Sequence, residues 1–429
     1  MLIEFKVSNY RSIAEEQIIS FVPASNQKDY PDNIIASGKY KSLNAIALYG
    51  ANASGKSNIL KALDLLHTLL ATSAQSNSTA KLSYDPFVLK ESYRNKPTKL
   101  EITFILNENR YRYIVEYSLT NIITECLYRK KVGREVTLFE RENGVIAVSS
   151  SFKSSEKVID AVIEATRDNS LFLSTCDAFN VKEAKTLFEW FANINFVDGA
   201  NMANQDQTSA RIWNENPVSR EKMKEYLLLL NLGFSDINVK KIELPLFGAF
   251  GVKFYEIMVK HHIYDENNNK TNNTISWDID NESQGTQRAF QLSAYVVGNI
   301  LIQGGILIID EIEAKMHPIM TINTLNLFLN KETNPKNAQI IFTTHDTNLL
   351  TYTDLRRDQI NFVEKNQWEA TEVYSLSDFK YFNEKERIDT DKEKRYMEGR
   401  YGAIPILSDF SKKFKPEIDK QIDTQNLDK

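Results

Sequence analysis

The sequence predicts an α/β protein with a parallel core sheet, an N-terminal antiparallel β-subdomain and a mainly helical insert. Three observations predict it. Residues 50–57 read Gly-Ala-Asn-Ala-Ser-Gly-Lys-Ser, a glycine loop between an apolar run (Asn44 to Tyr49) and a run with Ile59, Leu60, Leu63, Leu66 and Leu70 at helical spacing. The last third alternates helices with continuous apolar strands, the pattern of a parallel sheet covered on both faces. Residues 99–130 fall into three short strand-like runs joined by tight turns, which suits an antiparallel meander.

In chain order, Leu2 to Val7 alternates as a strand and Asn9-Tyr10-Arg11-Ser12 turns it into Gln17 to Val22. Residues 23–44 are a polar connection. Lys56 to Leu70 is the helix after the glycine loop, and the Ser/Thr/Ala/Asn-rich stretch 71–83 reads as a mobile linker. Strands follow at Lys99 to Leu106, Arg110 to Leu119 and Ile122 to Lys130, with Asn107-Glu108-Asn109 as the first turn. Residues 153–232 are mainly helical in pattern, most clearly Val181 to Phe191 and Arg220 to Leu232, with Gly233 as a stop. Strands resume from Ile237 to about Asp280, broken by the loop Asp265 to Lys270. Then come a helix (Thr286 to Leu301), a buried strand (Ile306 to Ile309), a helix (His317 to Leu329) and a buried strand (Gln339 to Thr343). The polar tail from Asp409 reads as disordered. The organisation expected is an N-terminal lobe (1–140), a mainly helical insert (141–235), a C-terminal lobe (236–380) and a charged extension (381–429).

Composition sets bounds on function. The 429 residues are 42% hydrophobic and 25% charged, ordinary for a globular protein with a substantial core. The formal charge of −5, from 52 basic and 57 acidic residues, argues against a strong global field for DNA and leaves a local basic patch open. Only two cysteines occur, Cys126 and Cys176. Without a secretory leader they read as reduced thiols of a cytoplasmic protein. No apolar run is long enough for a membrane span.

Four motifs carry the chemistry. In the loop 50–57, Gly50 and Gly55 let successive N–H groups of Asn52, Ala53, Ser54 and their neighbours point at phosphate oxygens. Lys56 would reach the β- and γ-phosphates, the Ser57 hydroxyl would bind magnesium, and Asn58 opens the helix whose dipole favours the anion. Second, Ile306 to Asp310-Glu311 is an apolar strand ending in two carboxylates, Asp310 suited to magnesium and Glu311 to the attacking water; a solvated strand end is the plainer alternative. Third, His345 ends the next strand, in a chain with five histidines, where it could donate to a γ-phosphate or merely cap the strand. Fourth, Ser283-Gln284-Gly285 opens a helix and presents a hydroxyl and free N–H groups, to an anion or simply as an N-cap.

The order of these motifs resembles the ABC-type ATPases, most closely the non-transporter branch with the SMC, RecF and OLD proteins. Phe5-Lys-Val-Ser-Asn-Tyr-Arg11-Ser is similar to that branch's N-terminal strand and arginine, which lies near nucleotide; a surface salt bridge is the alternative for Arg11. Glu282-Ser-Gln-Gly-Thr-Gln-Arg288 resembles the OLD-like signature, and Asp310-Glu-Ile-Glu-Ala-Lys-Met-His-Pro318 its extended Walker B. Asp358 to Lys365 and Arg400 to Pro405 are similar to RloA-like AAA-type ATPases from bacterial defence and abortive-infection loci. The resemblance implies an ABC-type ATPase head that binds and hydrolyses ATP with Mg²⁺ and has Lys56, Glu311 and His345 as its catalytic set. It also implies a homodimer of heads, or a higher oligomer, in which Ser283 and Gly285 complete the site held by Lys56 of the other copy. By analogy the heads would control a separately encoded effector, a RloB-like or Toprim nuclease, in anti-phage defence.

Two departures limit the resemblance. OLD proteins carry a Toprim domain after the ATPase, and the chain after His345 is too short for one. The magnesium-contacting residue of the glutamine loop is unassigned, and residues 140–240 have no assigned role. Competing readings are a RecF- or SMC-like repair ATPase that binds DNA directly, a transporter subunit, and a scaffold that binds ATP with scarcely any turnover.

Overall fold

The computed structural model describes residues 1–152, 154–199, 205–244, 252–379 and 391–405. The chain opens with β1 (Leu2–Ser8) and β2 (Gln17–Ser20), a small hairpin β3 (Ile34–Ser37) and β4 (Tyr40–Leu43), then β5 (Ala45–Tyr49) and α1 (Lys56–Thr72). A meander follows: β6 (Thr98–Leu106), β7 (Asn109–Tyr117), β8 (Ile122–Lys130), β9 (Val136–Glu142) and β10 (Val145–Val148). Helices α2 (Glu156–Ala165), α3 (Phe172–Ala178) and α4 (Lys182–Phe191) lead into β11 (Ile194–Asp198). Then α5 (Gln205–Glu215) and α6 (Pro217–Leu229) precede β12 (Asp236–Leu244), β13 (Val252–Tyr264) and β14 (Lys270–Asp278). The last third holds α7 (Gln284–Ser293), β15 (Ile306–Asp310), α8 (Pro318–Leu329), β16 (Gln339–Thr344), α9 (Asn348–Tyr352), β17 (Ile360–Lys365), β18 (Thr371–Ser375) and α10 (Lys392–Met397).

Two large sheets organise these elements. The core sheet runs β11-β15-β16-β5-β17-β18. Its first five strands are parallel, and β18 closes one edge antiparallel as a hairpin with β17. β5 and β16 are buried along their whole length, which is why they read as continuous apolar runs rather than alternating ones. The second sheet, β10-β9-β8-β7-β6-β1-β2, is the antiparallel subdomain. Asn107 and Glu108 both have positive φ, so the β6–β7 turn twists with its strands. Gln339 at the start of β16 joins the two sheets: its side chain accepts from Leu2 N (2.6 Å) and donates to Leu2 O, Ser42 Oγ and Leu43 O. A three-stranded sheet, β12-β13-β14, is hydrogen-bonded to neither, and its buried side chains (Ile237, Tyr255, Val259) join the core on that side of the central sheet.

Several expectations change. The mainly helical stretch 141–235 contains β11, whose Ile194, Phe196 and Val197 make it an edge strand of the core sheet in register with β15. Five residues are enough for a strand and too few to show a period against the helices around them. Residues 71–83, expected to be mobile, are tied down: Asn169 donates to Asn77 O and Ala80 O, and Leu82 N donates to Leu119 O. The helix expected from Thr286 to Leu301 starts at Gln284 and changes to a π-helix over Ala294–Leu301. The tail from Asp409 lies outside the described residues. Among the described residues, no helix is long and apolar enough to cross a membrane.

Candidate functional site

The site forms at the carboxyl ends of β5, β15 and β16, where a parallel sheet leaves its strand-to-helix loops open. The glycine loop is shaped by contact as much as by freedom. Gly55 has φ +108, and a Cβ there would lie 2.0 Å from Thr371 Oγ1. A Cβ on Gly50 would lie 2.2 Å from Val363 O, so β17 can approach only a glycine. Ala53 also has positive φ, which curls the loop over the start of α1.

Lys56 is buried, and its Nζ donates to Gly50 O (2.8 Å) and Ala51 O (3.1 Å). Burial lowers its pKa, and the carboxylates of Asp310, Glu313 and Glu311 oppose that shift only in part. Ser57 Oγ donates to Asp310 Oδ1 (3.0 Å), and Thr343 Oγ1 donates to the same oxygen (2.6 Å). A hydroxyl and a carboxylate converging on one point are the hard oxygen donors that suit Mg²⁺, which takes few protein ligands and fills the rest with water and phosphate. No cluster of three or more His, Cys, Asp or Glu side chains able to hold a metal occurs among the described residues.

Glu311 follows Asp310 with φ +55, an unfavourable value for a side-chain-bearing residue. Its N–H donates to Thr343 Oγ1 (2.7 Å) and its carbonyl accepts from Ala314 N, so the turn is held on both sides. His345 reaches the same area from β16, and its N–H donates to Glu313 Oε1 (2.6 Å). Burial and then the charge of Lys56 lower the pKa of its ring, which keeps it neutral at physiological pH. A cavity of about 110 Å³ opens beside Ser57 and Asp310, floored by Phe196, Val197 and Ile308. The larger cavity of about 600 Å³ lined by Tyr30, Asn330 and Asp354 sits at the opposite ends of the strands, away from these groups.

The structure thus brings together Gly50, Asn52, Ala53, Ser54, Gly55, Lys56, Ser57, Asn58, Asp310, Glu311 and His345. Arg11 is partly exposed and its Nε is paired with Asp85 (2.9 Å), the salt bridge given as its alternative, while the next residue, Ser12, borders the glycine loop. Ser283 is an exposed N-cap whose Oγ accepts from Thr286 N (3.2 Å), and a Cβ on Gly285 would lie 3.1 Å from Lys315 O. The signature turn therefore packs on the loop that follows Glu311.

Family comparison agrees with this geometry. The AAA family described as "AAA domain, putative AbiEii toxin, Type IV TA system" matches residues 45–351, most of the chain. The chain belongs to this AAA family. It is accordingly a nucleotide-binding ATPase by fold and motif. Among solved structures, this AAA chain is similar to an SMC head bound to the C-winged helix domain of ScpA, at 16% identity over 87% of this chain and 97% of that one, TM-score 0.44. It is also similar to the SMC head domain from Thermotoga maritima, at 13% identity over 87% and 98%, TM-score 0.40. No curated protein matches it.

Four supporting residues of the AAA site escape sequence reasoning. Thr371, on β18, donates to Ser54 O (2.9 Å) and pairs with Ser12 Oγ (2.8 Å), which in turn accepts from Asn58 (2.8 Å). Gly199 follows β11: its N–H donates to Asp310 O (2.8 Å), and a Cβ there would lie 2.4 Å from the carbonyl oxygens of both Asp310 and Glu311. Asp198, directly before it, is in register with Asp310, so β11 delivers a further acidic residue beside the site. Only a Gly after a short apolar run hinted at this.

Proposed function

We propose that the chain is an ATP-driven switch that hydrolyses ATP with Mg²⁺ and pairs two heads face to face. The observation that carries this reading is the division of the site. Lys56, Ser57, Asp310, Glu311 and His345 gather at the ends of β5, β15 and β16, while Ser283 is exposed at the start of α7, its hydroxyl serving as the helix's own N-cap, where a second copy's phosphate could take that role over.

In this reading Lys56 leaves the carbonyls of Gly50 and Ala51 for the β- and γ-phosphates. Ser57 and Asp310 would hold Mg²⁺, which supplies charge neutralisation on the phosphate oxygens. Glu311 orients a water and accepts its proton as that water attacks the γ-phosphorus and the bond to the ADP oxygen breaks. His345, neutral, donates to the γ-phosphate. Ser283 and Gly285 of the second copy complete the charge cradle, so loss of the γ-phosphate removes contacts from both subunits and opens the pair. The family description names a toxin system, which is compatible with a defence role exerted through a separately encoded effector, a nuclease by analogy.

Two variants test the proposal. Glu311→Gln is expected to bind ATP and accumulate as pairs in analytical ultracentrifugation; wild-type turnover in it removes Glu311 from the chemistry. Ser283→Arg is expected to keep nucleotide binding and to lose pairing and turnover; normal ATP-dependent pairing would reduce the signature to a helix cap.

A further inference from the structure

One carboxylate sits directly before the signature serine and belongs, by its bonds, to a different part of the fold. β14 ends at Asp278, a 3₁₀ turn covers Ile279–Asn281, and Glu282 immediately precedes the N-cap Ser283. Glu282 Oε1 accepts from Trp277 Nε1 (2.6 Å) on β14 and from His261 Nε2 (2.7 Å) on β13. An ionised carboxylate only accepts and an indole N–H only donates, so Nε2 of His261 must carry its hydrogen. The imidazole and indole rings stack at 4.1 Å with 18° between their planes, which fixes both donors at once. The Glu282 side chain is only 10% exposed, so losing its donors strands a largely desolvated charge.

The main chain of Glu282 is fixed from the other side. Its N–H donates to Ile279 O (2.9 Å), and its carbonyl accepts from Gln287 Nε2 (3.0 Å) in the first turns of α7. The residue is therefore pinned by its side chain to the β13–β14 hairpin and by its carbonyl to the signature helix. Beyond the clamp, the largely exposed strand β14 is hydrogen-bonded, among the described strands, to β13 alone. A one-peptide link between a clamped side chain and Ser283 leaves the serine little freedom to move independently of the hairpin.

We infer that Glu282 is a positioning residue for Ser283, and that through it the β12–β14 sheet sets the angle at which the signature turn meets a nucleotide held by a second copy. This rests on the proposed pairing of heads. Glu282 does not touch the phosphates in this account; it acts by holding the serine. A load on this sheet, such as a bound partner protein, would reach Ser283 itself through this carboxylate, beside the broader packing of β13 on α5 and of α5 on α7.

The test uses the full chain and the variants Glu282→Ala and Glu282→Gln. Three quantities are read: affinity for a fluorescent ATP analogue, ATP-dependent pairing with turnover, and hydrogen exchange across 283–288. Glu282→Ala is expected to leave nucleotide affinity unchanged, to weaken pairing and kcat at least about tenfold, as loss of hydrogen bonds to a charged group implies, and to speed exchange in the signature turn. Glu282→Gln keeps an acceptor for Trp277 and His261 and is expected to recover most of that loss, which also separates positioning from failure to fold. Wild-type exchange in the turn of Glu282→Ala overturns the inference, as does faster exchange with wild-type pairing and turnover. If the wild-type chain binds ATP and does not pair, the proposed function is what fails, and the positioning role falls with it, while faster exchange in Glu282→Ala would still identify the clamp as the turn's mechanical support.

Discussion

Gly199→Ala isolates the contribution of β11 to the site. The new Cβ would stand 2.4 Å from the carbonyl oxygens of Asp310 and Glu311, where ordinary contact begins at 3.4 Å. Both obstacles are backbone, so relief requires β11 and the end of β15 to separate by about 1 Å, at an overpacking cost of about 1–3 kcal/mol. The same shift acts on Asp310, whose Oδ1 is placed by the Ser57 and Thr343 hydroxyls. A displacement of that size at a catalytic group costs about 100-fold in rate. The assay is steady-state ATP hydrolysis under a Mg²⁺ titration, beside nucleotide binding measured in EDTA. The expected result is a turnover about 100-fold down, a raised Mg²⁺ requirement and retained Mg²⁺-free binding. Wild-type turnover at wild-type Mg²⁺ dependence would show that β11 and the Asp310–Glu311 turn are not coupled as argued.

Three further expectations concern single side chains. Lys56 has a pKa lowered by burial, so folding disfavours its charged form; that cost is absent above the unfolded value near 10.5 and fully present at neutral pH. Lys56→Met should lose ATP binding, and wild type should gain stability relative to it as pH rises from 7 toward 10.5; a stability difference that does not change with pH contradicts the burial argument. Thr371→Val removes the hydroxyl shared by Ser54 O and Ser12, leaving a buried acceptor unpaired at about 1–3 kcal/mol. ATP affinity measured by calorimetry should drop by roughly tenfold or more, and unchanged affinity means the brace does not shape the loop. The lowered pKa of His345 places its protonation below 6.5, so the stability gained from the neutral ring is present above 6.5 and lost as pH falls through the folded value. Turnover should stay level as pH falls through 6.5 and decline only below it, and a decline centred above 6.5 would require another group.

The parts of this site that the sequence discloses are those written in consecutive residues. The loop 50–57, the Asp310–Glu311 pair and His345 each sit on an element whose periodicity is strong over its own length, so both motif and context were readable. The signature turn was readable as a helix start, because Ser283 is an N-cap in either role. Thr371, Ser12 and Gly199 were not, because what makes them matter is proximity between distant segments: nothing near Thr371 encodes that its hydroxyl will meet Ser54. Arg11 shows the same dependence on distant segments. Its position in an N-terminal motif suggested nucleotide, and the neighbour that decides its conformation, Asp85, is 74 positions away. β11 was missed since a short buried strand among helices carries no period of its own.

The placement of β5 sets a schedule for biosynthesis. Its two flanking strands, β16 and β17, and the threonine that fastens Ser54, 317 positions downstream, are made long after the loop itself. At roughly 5–20 residues per second, a ribosome needs about 15–60 s to travel that distance. Throughout that interval the emerging polypeptide has the glycine string without the walls that shape it. A chain that ends before β16 and β17 has no neighbours for β5 and no brace on Ser54, so the loop takes its shape only once nearly all of the ATPase has been made.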